Sequence, residues 1–377
     1  MSFSFSVLKT DPGTGARLGK ITTARGEVQT PLFMPVATQA ALKALTPETA
    51  ANAGARILLA NAYHLHIQPG ESLIASLGGL HAFMNWPHLI ITDSGGYQVF
   101  SLPNRTIDEE GVRFQFQKDG TPVVLTPERS IEIQEKLGAD IIMAFDECVA
   151  YPAPYNYAKQ AMERTARWAK RCKTAHGDTG QSLFGIVQGS TYPDLRKASA
   201  EMTRELDLPG IAVGGLSVGE GLDVMIEVLS HTVPHLPVDK PRYLMGVGLP
   251  EDILAYVEMG MDISDCVIPT KYARSGILFT GVGRMRITRR EYRKDKFPPD
   301  TNCQCYTCQH YSRAYLHHLF AADEILAHTL ASLHNVHFYL ELMRRIREAI
   351  EQERFGTFKK DFLNTYLRED KKHRHVG

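Results

Sequence analysis

The stretch GADIIMAFDEC, residues 138–148, holds the two features that decide the fold of this chain. Its apolar residues predict a buried strand over 140–145, because they do not alternate with polar residues as those of a half-exposed strand would. The strand then ends directly in two acids and a thiol, Asp146, Glu147 and Cys148. Reactive side chains therefore follow the carboxyl end of a buried strand.

Seven further short apolar runs repeat this pattern on both sides of the stretch. Between them lie helix signals: Thr46 and Thr126 each precede a proline and an acid, and residues 158–175 and 331–350 have helical apolar spacing. Eight buried strands alternating with helices over roughly 240 residues predict a (β/α)8 barrel. A doubly wound open sheet is the alternative, although Gly-x-Gly at 246–248 lacks the third glycine of its phosphate loop. The predicted strands are 32–36, 56–60, 89–92, 140–145, 183–187, 210–213, 242–247 and 262–267.

Two segments interrupt the alternation of strands and helices. Residues 107–125 alternate apolar and polar side chains, including Phe116, around a turn at 118–120, which predicts a hairpin. Residues 277–310 follow the eighth strand and contain a group of cysteines. The chain is thus predicted to divide into a barrel with the catalytic site (1–276), a basic, zinc-binding subdomain (277–335) and a C-terminal helix and tail (336–377).

The cysteines of the second segment have the spacing of a metal site. Cys303, Cys305 and Cys308 are half of the chain's six cysteines, and three thiols so close in sequence can converge on one tetrahedral cation. With His334 they predict a closed, structural Cys3His site for one Zn²⁺ per subunit, and His337 is the competing fourth ligand. The other cysteines are scattered, as in a protein of the reducing cytoplasm.

Composition narrows the class of protein further. Hydrophobic residues at 44% and charged residues at 22% are typical of a globular protein. The sequence contains no run of eighteen apolar residues, so no membrane-spanning helix is expected. The formal net charge is zero, but residues 271–296 hold nine basic residues against two acids. This run predicts a phosphate-binding surface, with an ordinary solvated face as the alternative.

Three acids follow strands of the predicted barrel. Asp93 follows strand three, Asp146 follows strand four, and Asp265 lies within strand eight. Active sites of such barrels lie at the carboxyl ends of the strands. Cleavage of a glycosidic bond requires two carboxylates at the sugar C1′, one as nucleophile and one as acid/base. The third carboxylate, with Gln188 and the Gly215 amide, has the donors and acceptors to read the edge of a purine.

In these motifs the chain resembles the tRNA-guanine transglycosylases, the queuine tRNA-ribosyltransferases of the bacterial type. The resemblance covers essentially the whole chain, and the number of ordered motifs makes it specific. It implies a (β/α)8 barrel with a zinc subdomain, and a pentosyltransferase that exchanges the wobble guanine of GUN-anticodon tRNAs (for aspartate, asparagine, histidine and tyrosine) for a 7-deazaguanine base. The matching stretches are FMPV (33–36), TDSGGYQVFSL (92–102), GADIIMAFDEC (138–148), FGIVQGS (184–190), AVGGLSVGE (212–220), PRYLMGVG (241–248), DCVIPT (265–270) and the cysteine motif with SLHN (332–335).

The resemblance also implies a role for each site residue. Asp265 would be the nucleophile that bonds to the ribose C1′, and Asp93 the acid/base for the departing and incoming bases. Asp146 would bind the Watson–Crick edge, with Gln188 and Gly215 near O6. The other implied contacts are Tyr97 and Met245 on the two faces of the base, Ser94, Asn61 and Gln98 at the ribose and the acid, Leu216 and Cys148 in the base pocket, and Lys271, Arg274, Arg284, Arg286 and Arg289 on tRNA phosphates.

Four positions depart from the family pattern. Ser264 stands where Phe usually precedes the nucleophile, and Lys271 replaces an Arg, which gives a point charge instead of a fork. Ala62 and Ala37 replace a Thr and a Gly. None of the four is one of the three acids, so the departures bear on the identity of the incoming base and on the grip on tRNA.

The incoming base has two candidates. Cys148 and Val218 match the bacterial form, which uses 7-aminomethyl-7-deazaguanine, and this base is the one we expect. Queuine is the alternative, because NWPH at 85–88 resembles the eukaryotic catalytic subunit.

The sequence leaves two alternative functions open, and the family resemblance implies a homodimer. His64 and His66 have the spacing of two metal ligands on one strand face, so a metal-dependent barrel hydrolase is one alternative. A non-catalytic tRNA-binding paralogue of the family is the other. The family generally forms homodimers through aromatic and His residues beside the zinc site. The matching segment contains Tyr311, Tyr315 and His318, for which ordinary helix packing is the alternative.

Overall fold

A three-stranded antiparallel sheet begins the chain and covers one end of the barrel. The computed structural model describes residues 3–115 and 120–374, with side chains described up to residue 367. Ile21 and Val28 of this sheet pack with the apolar residues inside the barrel, and Phe3 meets Phe184 edge to face at 5.6 Å. The sequence did not predict this sheet, which consists of β1 (Ser4–Thr10), β2 (Arg17–Thr23) and β3 (Gly26–Thr30).

Eight parallel strands then form the predicted barrel. Each is hydrogen-bonded to its neighbours, and Val36 pairs with Leu59 to join the first strand to the second. Because this contact closes the sheet, the alternative of a doubly wound open sheet is wrong. In chain order the barrel strands are β4 (Leu32–Pro35), β5 (Ile57–Ala60), β6 (Leu89–Thr92), β10 (Ile141–Met143), β11 (Ser182–Val187), β12 (Gly210–Val213), β13 (Arg242–Leu244) and β14 (Ile263–Cys266).

Two barrel strands end two or more residues earlier than predicted. β10 stops at Met143; Ala144 N still donates to Phe184 O of β11 at 2.9 Å, and the N–H of Phe145 then bonds to the Cys172 sulfur at 3.3 Å. β13 stops at Leu244, two residues before Gly246, whose φ of 74° is left-handed and does not fit a strand. In both cases the apolar run continues past the strand into the loops at the carboxyl end of the barrel.

Helices cover the outside of the barrel, and the two predicted N-caps are present. The Thr46 hydroxyl accepts a hydrogen bond from Thr49 N, and the Thr126 hydroxyl accepts one from Arg129 N, both at 3.1 Å. The helices are α1 (Pro47–Asn52), α2 (Ala62–Ile67), α3 (Glu71–Ser76), α4 (Gly79–Phe83), α5 (Gly96–Phe100), α6 (Pro127–Leu137), α7 (Tyr155–Ala175), α8 (Pro193–Glu205), α9 (Leu222–Thr232), α10 (Pro250–Glu258), α11 (Ile268–Arg274), α12 (Tyr306–His310), α13 (Arg313–Ala321), α14 (Ile325–Glu351) and α15 (Phe355–Arg374), with 3-10 turns at Val233–His235 and Arg290–Lys294.

The two predicted interruptions are both present. The first is a small antiparallel sheet of β7 (Thr106–Ile107), β8 (Val112–Gln115) and β9 (Pro122–Leu125), in which β8 and β9 form the predicted hairpin. Phe116 and most of the predicted turn lie outside the described residues. The second contains the hairpin of β15 (Ile277–Thr280) and β16 (Gly283–Arg286), which shares a small apolar core with α13 and α14. The predicted boundary at 335/336 falls inside α14, and the division into three parts stays a prediction.

Candidate active site and metal-binding cluster

A cavity of about 490 Å³ opens at the carboxyl end of the barrel strands. The structure brings together along its wall all twelve residues predicted to be catalytic or to bind the base. They are Asp93, Asp146, Asp265, Asn61, Ser94, Tyr97, Gln98, Cys148, Gln188, Gly215, Leu216 and Met245.

Asp265 lies near the end of β14 and is held through one of its two carboxylate oxygens. Its Oδ1 accepts hydrogen bonds from the Tyr243 hydroxyl at 2.6 Å and from Gly246 N at 2.9 Å. Both donors reach the same oxygen, so neither bonds to Oδ2. Tyr243 was not predicted from the sequence, although it lies two residues before Met245, on the same side of the chain.

Asp93 follows β6 and is bound through both oxygens. Its Oδ2 accepts from Asn61 Nδ2 at 2.5 Å and from Gln98 Nε2 at 2.8 Å, and its Oδ1 accepts from Ala62 N at 2.8 Å. Ala62, one of the departures from the family pattern, therefore contributes through its backbone, which no side-chain change removes. The Oε1 atom of Gln98 is buried without a partner, so this amide has an acceptor to offer a bound molecule.

Asp146 follows β10 and pairs with residues from the neighbouring strands. Its Oδ1 accepts from the Ser94 hydroxyl at 3.1 Å, and its Oδ2 accepts from Gln188 Nε2 at 2.7 Å. The Gln188 Oε1 has no partner, and the backbone at Gly215 lies so close that an added Cβ would sit 2.3 Å from this oxygen. An acceptor pair of carboxylate and amide thus faces the cavity beside glycine backbone.

Burial raises the pKa of all three carboxyl groups. Desolvation is the largest cause for Asp93, Asp146 and Asp265, and hydrogen bonds to the ionised forms oppose it. The pKa of Asp146 is raised to about 6, and the charge of Asp93 adds to the shift of both other acids. Asp93 therefore lies near enough to each of the other two acids for its charge to influence their ionisation.

Other residues of the cavity have simpler settings. Tyr97 is 60% exposed, so a ring can stack on it, and burial raises the pKa of the Cys148 thiol to about 12, which keeps it from acting as a thiolate. Ser264, fully buried behind Asp265, shares a hydrogen bond with the Tyr256 hydroxyl, so the space of the usual Phe is filled by a polar pair.

The pair predicted for a metal-dependent hydrolase is not brought together. His64 and His66 lie on α2, not on a strand, and residues two apart on a helix point in different directions. His64 lines the cavity, whereas His66 Nδ1 bonds to Glu71 Oε2 at 2.7 Å. The hydrolase prediction is therefore wrong on the geometry of its ligands.

None of the five residues predicted to bind tRNA lies in the wall of the cavity. Lys271 and Arg274 are exposed on α11, the helix that directly follows the strand of Asp265. Arg284 and Arg286 lie on β16, and Arg289 precedes the 3-10 turn at Arg290–Lys294.

The four predicted zinc ligands form one cluster. The sulfurs of Cys303, Cys305 and Cys308 lie 3.8, 3.4 and 3.2 Å from Nδ1 of His334. His334 is the imidazole of this cluster, and its Nε2 bonds to the backbone oxygen of Phe279 at 2.7 Å. This bond orients Nδ1 toward the sulfurs, so the cluster could bind a metal ion.

An exposed aromatic group lies beside the cysteine cluster. Tyr311 stacks on Tyr315 at 5.4 Å between centroids, and Tyr306 contacts both Tyr311 and His310. Tyr315 and His318 are exposed on α13, so the alternative that this segment is ordinary helix packing does not describe these two side chains.

Comparison with known proteins identifies relatives over nearly the whole chain. The family model described as queuine tRNA-ribosyltransferase matches residues 11–368. Queuine tRNA-ribosyltransferases from Caldanaerobacter subterraneus subsp. tengcongensis and Halothermothrix orenii are 53% and 52% identical, over 97% of this chain and 98% and 99% of their own lengths. Within the described part of the chain, no helix has the length and apolar character to cross a membrane.

Proposed function

Because the chain belongs to the queuine tRNA-ribosyltransferase family, and so is a tRNA-guanine transglycosylase, we propose that its cavity exchanges the wobble guanine of GUN-anticodon tRNAs for a 7-deazaguanine base in queuosine biosynthesis. The observation that carries this proposal is the set of three buried carboxylates, Asp93, Asp146 and Asp265, around one cavity. A flipped-out nucleotide needs such a space, because its base must leave the stack to be exchanged.

The first step is attack by Asp265 on the ribose. Oδ2 forms a bond to C1′ while the bond from C1′ to N9 of guanine breaks, and its electron pair goes to N9. Tyr243 and the Gly246 amide hold Oδ1 and so aim the free oxygen. Asp93 gives its proton to the departing guanine, a role for which burial favours the protonated acid.

The second step reverses the first with a new base. Asp93, now ionised, takes the N9 proton of the incoming base, and N9 attacks C1′ as the ester bond to Asp265 breaks. Two displacements at one carbon invert it twice, so the β-linkage is retained. Asn61, Gln98 and the Ala62 amide stabilise the ionised Asp93 between the steps.

Recognition of the base falls to Asp146 and its neighbours. A guanine edge presents N–H donors at N1 and N2, which an ionised Asp146 accepts, while O6 accepts from the Gly215 backbone N–H or from the second hydrogen of Gln188 Nε2. Val218, which lines the cavity, limits the room beyond Leu216. This supports the small 7-aminomethyl base over queuine, and direct competition between the two bases for one tRNA decides it.

Charge supports tRNA binding outside the cavity. Lys271 and Arg274 stand on the helix that begins where the strand of the nucleophile ends, within the basic run of residues 271–296. Replacing each by Ala is expected to weaken binding and lower the salt slope of log K by about 1 per residue. With a tRNA substrate and reduced thiols, the enzyme would work in the cytoplasm.

Two further parts of the proposal concern assembly and metal. Exposed Tyr315 and His318, beside the stacked Tyr311, supply an aromatic surface for a homodimer, which gel filtration at micromolar concentration tests. Tetrahedral Zn²⁺ with bonds of about 2.3 Å to sulfur and 2.0 Å to nitrogen places those atoms about 3.5 Å apart, close to the distances around His334. One structural Zn²⁺ would hold the segment of residues 303–308 to α14 through His334, whose Nε2 bonds to Phe279 O of β15.

Exchange of labelled guanine into a GUN tRNA tests the proposal. We expect incorporation by the wild type, none into the same tRNA with cytosine at the wobble position, and strong loss in Asp265→Asn and Asp93→Asn. A wild type that binds this tRNA without exchanging guanine would instead indicate the non-catalytic paralogue. Full activity in both variants would refute the mechanism.

A further inference from the structure

Two neighbouring barrel strands, β6 and β10, pair over a shorter length than the strands beside them. β5 and β6 pair at four positions and β10 and β11 at three, whereas β6 and β10 pair only at Ile91 and Ile141. Asp93 follows β6 and Asp146 follows β10. The two strands that precede these acids are therefore paired at Ile91 and Ile141, and the pairing does not continue to Met143.

A side chain from α6 fills the place of the missing strand contact. Met143 lies two residues after Ile141, so its N–H and C=O face the same side, toward β6. There, Gln134 Oε1 accepts from Met143 N at 2.8 Å, and Gln134 Nε2 donates to Met143 O at 2.9 Å. Gln134 is fully buried, so its amide satisfies two backbone groups that have no access to water.

The same helix also holds the chain on both sides of Asp93. Thr92 Oγ1 donates to Gln134 Oε1 at 3.1 Å, and the hydroxyl of Ser130, one turn earlier on α6, donates to the backbone oxygen of Ser94 at 2.7 Å. One face of α6 thus binds the residue before Asp93, the residue after it and the end of β10.

Above this contact the two strand ends meet closely. Ser94 Oγ bonds to Asp146 Oδ1, and a Cβ added to Gly96 would lie 2.7 Å from the Asp146 backbone oxygen. With so little space, any change in the separation of β6 and β10 changes the position of Asp146 relative to Asp93.

We propose that Gln134 is a positioning residue that sets the spacing between Asp93 and Asp146, and through it the affinity for the free base. The inference rests on the proposed function, because it assigns a distance to the acid/base and the base-binding carboxylate of that site. Without the amide, Met143 N and O would lack partners, and the strand ends would move to find them.

The test replaces Gln134 by Met, which keeps the length of the side chain but removes both hydrogen bonds to Met143 and the one from Thr92. A displacement on the order of 1 Å can cost about 100-fold, so we expect kcat/KM for the free base to fall by about that factor, with KM for tRNA unchanged. Gln181→Met is the matched control. Gln181 donates to Ala139 O at 2.7 Å, at the opposite end of the same strand, and to the backbone oxygen of Gln134 at 3.2 Å. Its replacement leaves the bonds of the Gln134 side chain in place, so the variant should lose stability but keep KM for the base.

Thr92→Val is the second variant, because it preserves side-chain shape and leaves Met143 paired. We expect KM for the base to rise about fivefold, which corresponds to the loss of one neutral hydrogen bond. This variant tests the role of Gln134 if Gln134→Met does not fold. Wild-type KM for the base in the folded variants would overturn the inference. A wild type that fails to exchange guanine would refute the proposed function instead.

Discussion

The barrel mouth and the cysteine cluster both bury ionisable side chains, but they arrange them in opposite ways. In the cluster, three sulfurs lie within 3.8 Å of one nitrogen of His334, so a single ion can satisfy every donor. At the mouth, three carboxylates stand around a cavity of about 490 Å³, and each has its own protein donors. Convergence on a point suits a resident ion, whereas separation around a space suits a substrate that enters and leaves.

The two regions also differ in what they leave unpaired. The second nitrogen of His334 is taken by Phe279 O, so the cluster is complete once an ion is bound. At the mouth, Oε1 of Gln98 and of Gln188 are buried without a partner. Buried acceptors without donors are costly in an empty site and become useful only when a ligand supplies N–H or O–H groups.

Loss of the nucleophile gives the largest expected effect and acts on the mouth alone. Asp265→Asn keeps the shape of the side chain but removes the attacking oxygen, so guanine exchange should fall on the order of 10⁴-fold or more. Metal content per chain should stay at the wild-type value, measured by atomic emission on the same sample. Exchange within tenfold of wild type would break the assignment of Asp265.

Loss of the acid/base should be severe but smaller. Asp93→Asn cannot protonate the departing guanine, and general acid/base groups contribute about 10²–10⁴-fold. Single-turnover kinetics with a GUN tRNA measure the first step, which should slow while tRNA affinity holds. Asn85→Asp, on the exposed surface, is the control and should leave the rates unchanged. Equal rates for Asp93→Asn and wild type would contradict the role.

Because the pKa of Asp146 is raised to about 6, binding of the base at the mouth should depend on pH near that value. Only the ionised carboxylate accepts base N–H groups, so KM for the free base should rise about tenfold per unit below that pH. The sign for folding is opposite: a raised folded pKa gives stability that is full below the unfolded value of about 3.9 and lost as pH rises through about 6. Ser94→Ala removes a bond that lowers this pKa, so the inflection in KM should move upward. Exposed Ser76→Ala should not move it, and a pH-independent KM between 5 and 7 would count against the assignment.

Removal of a cluster ligand should have the smallest effect on the chemistry. Cys303→Ala is expected to lower bound zinc from one per chain to none and to lower Tm, while kcat per folded molecule changes only a few-fold, because the cluster does not line the cavity. Cys148→Ala, at the mouth, is the matched control and should keep the metal. A Cys303→Ala enzyme with full zinc would show that the metal is held elsewhere.

The barrel could be predicted because parallel strands are buried on both faces and leave continuous apolar runs in the sequence. β1 leaves no such run, since most of its residues are exposed, and the N-terminal sheet was therefore missed. The ends of β10 and β13 were placed too late, because apolar residues such as Phe145 and Val247 continue into buried loops. An apolar run reports burial and does not report where hydrogen bonding between strands stops.

The candidate site was predictable to the extent that it follows strand ends. Asp93 and Asp146 stand out because each is an acid directly after a buried apolar run, where a charged side chain is costly unless it has a partner or a function. Tyr243 does not, since its ring belongs to the strand and only its hydroxyl reaches Asp265. Gln134 is still less visible, because Gln is an ordinary helix residue and its bonds to Met143 depend on how far two strands separate.

A denaturing gel of the enzyme quenched with a GUN tRNA, followed by digestion and mass spectrometry of the linked peptide, tests the central claim most directly. We expect a protein–RNA band in the wild type, with the ribose C1′ attached to Asp265, and no such band in Asp265→Asn. A linkage at Asp93 or any other residue, or a band of wild-type intensity in Asp265→Asn, would contradict it.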